Sequence, residues 1–203
     1  MNRSELKAKA KESLKGHYWE AIKLFLLYIL VCLGITVATS IIANIFKGSE
    51  LLTSILGFIP SLLIIGLYGG FYSFFLKISR NEEVKCTELF KQKNLFWISI
   101  GVSLITSIFS TLGMLLLIIP GIIIALNYAM VYFVIVDNPE IGVMEALRTS
   151  KRIMKGHRWQ DVVLNLSFIG WYFLCYFTFG LLILWLAPYI LVTYANFYNE
   201  IKG

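Results

Sequence analysis

Four long stretches of the sequence contain no aspartate, glutamate, lysine, arginine or histidine. They are Leu24–Phe46, Leu51–Leu76, Leu95–Val136 and Val162–Tyr198, and the shortest has 23 residues. A run of about 18 apolar residues is already long enough to cross a bilayer as a helix. The 203 residues are 58% hydrophobic and 15% charged, whereas soluble domains are about 45–50% apolar and about 25% charged. The sequence therefore predicts an all-α, polytopic membrane protein that forms a single integral membrane domain over residues 1–203.

The third stretch is too long for one crossing. As a straight helix, the 42 residues of Leu95–Val136 would extend about 63 Å, against a hydrocarbon core of about 30 Å. The chain must therefore turn back within it. The favoured place is Pro120 and Gly121, because proline suits a helix start and glycine a tight bend. A turn at Gly113 is the alternative, and it would give two more equal halves.

The last stretch, Val162–Tyr198, is also too long, at about 55 Å if straight. A turn near Gly180 divides it into two spans of minimal length and leaves Pro188 inside the last one; the alternative is a turn closer to Pro188. The prediction is six transmembrane helices arranged as three hairpins, with pseudo-repeats over residues 1–76, 77–136 and 137–203.

The basic residues agree with this arrangement. Six spans place all but one of the 18 lysines and arginines on one face, with Lys47 alone on the other. Because lysine and arginine favour the cytoplasmic side, we expect a multi-pass protein of the bacterial cytoplasmic membrane with both termini in the cytoplasm. The net charge of +6 comes from clusters just before apolar stretches. That placement is typical of contacts with anionic lipid headgroups and argues against nucleic acid as a partner.

One charged segment between two apolar stretches has the pattern of an amphipathic helix. In Val143–Trp159, apolar side chains recur at helical spacing along one face. A helix of this kind between spans is typical of one that lies on the membrane surface. A thinner basic helix is predicted over Arg3–His17. The bases of the longer helix are Lys155 and four predicted lipid-headgroup contacts, Arg148, Lys151, Arg152 and Arg158.

The end of this helix has a near copy at the start of the chain and a weaker one in the middle. Each copy has a lysine, then a residue that tolerates the left-handed backbone conformation, then a tryptophan at fixed spacing. This order is typical of a surface helix that ends, bends and is anchored at the headgroup level. Duplication is the favoured origin and convergence the alternative. The copies are Lys15, Gly16, His17 and Trp19; Lys93, Asn94 and Trp97; and Lys155, Gly156, His157 and Trp159.

No motif in the sequence indicates catalysis or a cofactor. GxSxG, HExxH, P-loop and GxGxxG patterns do not occur, so we predict neither an enzyme nor a cofactor. His17 and His157 could bind a metal together, but a third ligand is missing and no metal is expected. Asp161 lies at a span start, where it is expected to reach water. Asn127 and Asn165 are the most polar groups within the stretches, and each is expected to hydrogen-bond a neighbouring helix.

Two classes of function remain. The first is a non-catalytic integral membrane protein that binds a partner protein, a lipid or a membrane-active peptide, as in envelope maintenance or immunity. Another membrane protein or a second copy of the chain would be the protein partner. The second is a transporter of an apolar or amphipathic solute. The first is favoured because the spans carry no ionisable residue that could couple transport to ions. A continuous polar cavity near Asn127 and Asn165 would favour the second.

Several motifs follow one another in the C-terminal two-fifths of the chain. From Ile119 to Tyr198 they read IIPGIIIALNYAM, DNP, EALRTSKRIMKGHRW, LSFIGWYFL and LAPYILVTYANFY, and KGHYW near the N-terminus agrees with them. Their order resembles an uncharacterised family of small bacterial multi-pass membrane proteins known as a domain of unknown function. The order of IPG, basic helix and KGxxW is also similar to the membrane domain of some glycerophosphodiester phosphodiesterases. The resemblance implies the membrane fold, and it implies no activity because the sequence contains no such hydrolase domain.

Overall fold

The computed structural model describes residues 3–45, 50–84, 87, 89, 93–116 and 118–202. Eleven α-helices and no β-strand are found among them. Residues 47–49, which lie between the first two apolar stretches, and Cys86 are outside the described residues. The helices are α1 (Arg3–Ser13), α2 (Tyr18–Ile45), α3 (Glu50–Gly66), α4 (Tyr68–Ser79), α5 (Lys93–Leu116), α6 (Ile118–Tyr128), α7 (Val131–Asp137), α8 (Val143–Met154), α9 (Arg158–Leu166), α10 (Ile169–Phe177) and α11 (Ile183–Ile201).

Four helical segments of the described chain are long and apolar enough to cross a membrane. The coarse prediction is therefore confirmed: the regular structure of the described residues is entirely helical, and several of the helices suit a bilayer. Two of the four segments contain a break, one between α3 and α4 and one between α6 and α7. The C-terminal stretch is divided into α9, α10 and α11, so helix length alone does not yield six spans. The four segments are Tyr18–Ile45, Gly57–Ser79, Lys93–Leu115 and Ile119–Asp137.

Helices α5 and α6 form a closely packed antiparallel pair. Because α5 ends at Leu116 and α6 begins at Ile118, the turn falls just before the predicted position. Pro120 lies in the first turn of α6, where its missing N–H leaves no intrahelical bond unmade. Gly121 is helical, and a Cβ at the facing Gly113 would lie 3.0 Å from its Cα. The predicted bend at Gly121 is therefore wrong: the two glycines let the helix backbones approach each other.

The C-terminal stretch bends at the predicted place. Gly180 has a φ of +82°, and its backbone nitrogen donates to the Cys175 carbonyl at 2.9 Å. This bond ends α10 in the way that glycine commonly ends helices. The chain then runs back, so that the Phe168 and Tyr189 rings meet edge to face at 5.8 Å. Pro188 lies inside α11.

The centre of the molecule is aromatic and lies between α4, α7 and α11. Tyr72 stacks on Tyr132 at 4.9 Å, and Phe133 stacks on Tyr198 at 5.5 Å. Helix α1 packs against α4 and α11, and α8 packs against α5, α6 and α7. Both basic helices are thus held by the bundle. Their buried apolar residues are Leu6 and Ala10 in α1, Leu14 just after it, and Ala146, Leu147 and Met154 in α8.

Candidate functional site

One acidic side chain joins the C-terminal ends of three helices. Asp137 ends α7 and accepts bonds from Arg80 Nη1 at 2.7 Å, from the Tyr198 hydroxyl at 2.8 Å and from Lys202 Nζ. Its side chain is only 5% exposed. In the sequence Asp137 directly follows the apolar stretch Leu95–Val136, and no local signal marks its partners. We call this end of the molecule, which carries α1, α8 and the ends of α4, α7 and α11, the basic end.

The first junction joins α1 to α2 through Gly16. Its φ of +96° lies in the left-handed region, which glycine adopts without strain. The backbone nitrogen of His17 donates to the Leu14 carbonyl at 2.9 Å, and α2 begins at the next residue. Leu14 is fully buried, whereas Trp19 is 66% exposed and Lys15 is exposed. The junction therefore buries Leu14 in the bundle and leaves the Lys15 ammonium group and the Trp19 ring exposed.

The second junction has the same backbone geometry. Gly156 lies 140 positions after Gly16 and has a φ of +93°. The backbone nitrogen of His157 donates to the Met154 carbonyl at 3.1 Å. Met154 is fully buried and Trp159 is 73% exposed, in register with the first junction. Lys155 is exposed as well. This match is compatible with duplication, which stays a prediction.

Gly156→Val should lower the yield of folded protein, whereas Gly156→Asn should be tolerated. A β-branched residue with positive φ is strained by on the order of 1–3 kcal/mol, and asparagine by much less. No atom lies within 4 Å of a Cβ at Gly156, so backbone conformation alone sets the effect. The measurement is the monodisperse yield after detergent extraction. Gly170→Val is the control, because that glycine also has open space but lacks a positive φ. Equal losses from both valine variants would contradict this account.

The middle copy does not form such a junction. Lys93 and Asn94 lie in the first turn of α5, and Asn94 is not among the described residues with a positive φ. The prediction that Asn94 ends a surface helix is therefore wrong. Asparagine is accepted near helix N-termini as well as in the left-handed region, so its presence did not distinguish the two. Trp97 is nevertheless 71% exposed, like the other two tryptophans.

Helix α8 turns its apolar face to the bundle and its bases outward. The Ser150 hydroxyl on the apolar face donates to the Asn127 carbonyl of α6 at 2.9 Å. The expectation that this stripe rests on the membrane surface is corrected, because other helices already cover it. The predicted headgroup contact Arg158 is half-buried at the start of α9. The exposed bases of this segment are Arg148, Lys151, Arg152 and Lys155.

The two histidines of the chain occupy equivalent positions at the two junctions. His157 Nδ1 lies 2.7 Å from Gln160 Oε1. His17 Nδ1 is buried and has no hydrogen-bond partner among the described residues. Within the same part of the chain, no three histidine, cysteine, aspartate or glutamate side chains come close enough to hold a metal ion. In the described part of the chain, the histidines thus lie at the helix junctions without a third metal-ligating side chain beside them.

A cavity of about 240 Å³ lies between α4, α7, α9 and α11. The rings of Tyr72, Phe133 and Tyr194 and the polar side chains of Asp161 and Asn165 line it. Asp161 is only 2% exposed, so the expectation that it reaches water is wrong: α9 turns this side chain toward α11. Asp161 Oδ1 and the Tyr194 hydroxyl have no hydrogen-bond partner among the described residues.

The two asparagines differ in their surroundings. Asn165 is exposed at the cavity, and its Nδ2 donates to the Asp161 carbonyl of its own helix at 3.1 Å. Asn127 is buried in α6, and its Oδ1 has no hydrogen-bond partner in the described part of the chain. The described bonds do not include an amide bond from either side chain to a neighbouring helix, so that prediction is wrong. A carbonyl four residues earlier is within reach of an asparagine in any helix, and this satisfies Asn165 locally.

One protein-family model matches the chain along its whole length. The family is described as "Protein of unknown function (DUF975)", and the matches cover residues 1–124 and 109–203. No curated protein and no solved structure matches the chain. The similarity to the membrane domain of glycerophosphodiester phosphodiesterases therefore finds no support, whereas the resemblance to a domain of unknown function is confirmed. The chain belongs to the DUF975 family.

Proposed function

We propose that this is a non-catalytic protein of the bacterial cytoplasmic membrane whose basic end binds anionic lipid headgroups. The observation that carries the proposal is the pair of matched junctions. Each presents an exposed lysine, Lys15 or Lys155, four residues before an exposed tryptophan, Trp19 or Trp159. Tryptophan prefers the headgroup level of a bilayer, and a nearby cation attracts lipid phosphate.

The packing of α1 and α8 indicates that these helices would contact lipid through charge and not through apolar burial. Their apolar faces are buried in the bundle, so their contribution to lipid binding is electrostatic. A base near an anionic surface contributes about 1 kcal/mol, and the interaction is screened by salt. Because the helices are fixed against the spans, the bases are held in place before lipid binds. The exposed bases are Arg3, Lys9, Lys11 and Lys15 at α1, and Arg148, Lys151, Arg152 and Lys155 at α8.

Reversing Arg148, Lys151 and Arg152 together to glutamate should weaken retention of anionic phospholipid by at least about tenfold, since each base contributes about 1 kcal/mol. All three are exposed, so folding should be largely intact. The full-length protein is purified with phosphatidylglycerol and phosphatidylcholine, and the retained lipid is counted by native mass spectrometry at two salt concentrations. Glu145→Lys, an exposed site on the same helix, should strengthen retention. Unchanged retention in the triple variant would remove the proposal.

The proposed arrangement keeps six spans in three antiparallel pairs. Helix α2 packs on α3, and α5 packs on α6. The third pair would be α9 and α10 against α11, which the Phe168–Tyr189 contact supports. With the basic end in the cytoplasm, both termini are cytoplasmic as well, and the asymmetry of lysine and arginine supports that orientation.

This topology predicts the labelling of two positions in intact cells. Cys86 should be shielded from an impermeant thiol reagent, and Ser49→Cys in a Cys86→Ser background should be labelled. Both positions lie outside the described residues, so the experiment tests the order of spans. Cys32 and Cys175 are replaced by serine in both chains to remove the other thiols. Cells opened by detergent give the control, in which both sites react. Labelling of Cys86 from outside an intact membrane would contradict six spans.

A second function is favoured by one observation. The cavity at Asp161 and Asn165 provides a buried acid at the end of the spans, where the sequence indicated none. A buried ionisable group of this kind is common on solute and ion pathways. Transport of an amphipathic solute is therefore the alternative, and passage of a labelled solute across liposomes that contain the protein distinguishes it from binding alone.

A further inference from the structure

The two buried aspartates have opposite surroundings. Asp137 accepts bonds from Arg80, Tyr198 and Lys202. Asp161 has no such partners. Among the described residues, no ion pair joins a lysine, arginine or histidine nitrogen to its carboxylate within 4.0 Å. Arg158, one turn earlier on α9, is not paired with it either. A buried carboxylate without a cation is costly, so the surroundings of Asp161 are incomplete for its charged form.

The groups around Asp161 suit a cation. Three aromatic side chains line the same cavity, from Tyr72, Phe133 and Tyr194. One face of Tyr72 and one face of Phe133 are stacked on neighbouring rings, and a remaining face of such a ring attracts cations. The Tyr194 hydroxyl is buried without a partner, so it can accept a bond from an N–H group. Lysine, arginine and histidine are not among the lining residues, so an anion would meet only like charge.

Other ligand classes fit less well. A purely apolar solute would leave the Asp161 carboxylate unpaired. A metal ion would find one carboxylate, and no group of three metal-ligating side chains occurs among the described residues. The cavity of about 240 Å³ exceeds one of about 150 Å³ that holds benzene. There is thus room for a charged nitrogen together with a small apolar group.

We propose that this cavity binds an organic ammonium ion, with Asp161 as the counter-ion, the Tyr194 hydroxyl as a hydrogen-bond acceptor and the rings of Tyr72 and Phe133 as its walls. Asn165 is exposed and marks the mouth of the cavity. The site is separate from the lipid contacts of α1 and α8, and it operates in a neutral membrane as well.

The test uses two probes of the same size and shape. Benzylammonium carries the charge, and benzyl alcohol is its neutral counterpart. Each is titrated by calorimetry into full-length protein in nanodiscs made only of phosphatidylcholine, and nanodiscs without protein give the background. Neutral lipid removes electrostatic partitioning of the cation into the bilayer. The variants are Asp161→Asn, the cavity-filling Ala129→Leu, and Glu145→Gln as an exposed acid on α8.

Benzylammonium should bind the unaltered protein at least about tenfold more tightly than benzyl alcohol, because a hydrogen bond to a charged group is the stronger kind. Asp161→Asn should remove that preference and leave the neutral probe unchanged. Ala129→Leu should weaken both probes, which keeps the test decisive if Asp161→Asn fails to fold. Glu145→Gln should change neither. Equal affinity for the two probes, no binding of either, or a preference that survives Asp161→Asn overturns the proposal. Unchanged lipid retention in the α8 triple variant, together with amine binding at the cavity, would reject the lipid proposal alone.

Discussion

Gly121→Ala should destabilise the protein by about 1–3 kcal/mol, the usual cost of adding a carbon to a packed contact. A Cβ at Gly121 would lie 2.8 Å from the backbone nitrogen of Met114 on α5. A helix backbone cannot give way as the end of a flexible side chain can, so α5 and α6 would have to separate. The measurement is the midpoint of thermal unfolding in detergent, followed by circular dichroism.

Gly34→Ala is the matched control for this prediction. Gly34 also lies within a long apolar helix, but no atom is found within 4 Å of a Cβ there. Alanine favours helix over glycine by up to about 1 kcal/mol, so this variant should be neutral or slightly more stable. Gly113→Ala should behave like Gly121→Ala, and the two together should cost less than their sum because they disturb one contact. Similar midpoints for Gly121→Ala and Gly34→Ala would show that the helices are not packed backbone to backbone.

Asp137→Asn should lower the free energy of unfolding by about 2–4 kcal/mol, since hydrogen bonds to charged groups contribute about 1.5–3 kcal/mol each. The variant removes the charge that holds Arg80 and Lys202 beside each other. Those two cations would then repel, and the ends of α4, α7 and α11 would separate. Arg80 and Lys202 are partly exposed, so each can move into water once it has lost its partner. The helix ends are then less restrained, and cleavage by an added protease at the basic end should increase.

Glu140→Gln provides the control, since Glu140 is an exposed acid three residues after Asp137. It should leave the unfolding midpoint unchanged. A double-mutant cycle that pairs Asp137→Asn with Lys202→Met isolates one of the two ion pairs. Additive losses in that cycle would mean that Lys202 is not coupled to Asp137.

The membrane class and the main breaks could be predicted because their signals are local. Charge-free stretches longer than a bilayer determine the class, and glycine at Gly16, Gly156 and Gly180 marks positive φ without reference to the rest of the chain. The turn before Pro120 was misplaced by a short distance. Proline is accepted throughout the first turn of a helix, so Pro120 did not mark the first helical residue. Its uniformly apolar neighbours gave no further signal.

The candidate site could be predicted only in part, because burial and pairing are properties of the whole fold. Asp137 and Asp161 each stand at the edge of an apolar stretch, yet one is paired and the other lines a cavity. Sequence neighbours do not distinguish them. The amphipathic pattern of α8 was recognised, but an apolar stripe has the same spacing whether it faces lipid or protein. Its packing on α6 through Ser150 and Asn127 settled which surface covers it.

Helix α1 has a consequence for how the protein is made. It packs mainly against α11 and buries Leu6 in the same core cluster as Ala195 and Phe197 of that helix, and Lys7 Nζ donates to the Ser167 carbonyl at 3.0 Å. Helix α1 therefore docks on a helix that begins 170 residues after α1 ends, at residue 183 against residue 13. At about 5–20 residues per second, the wait is on the order of ten to forty seconds. Until α11 is in place, the apolar face of α1 stays uncovered. A nascent chain that stops before α11 therefore exposes apolar side chains of α1 that the folded protein buries.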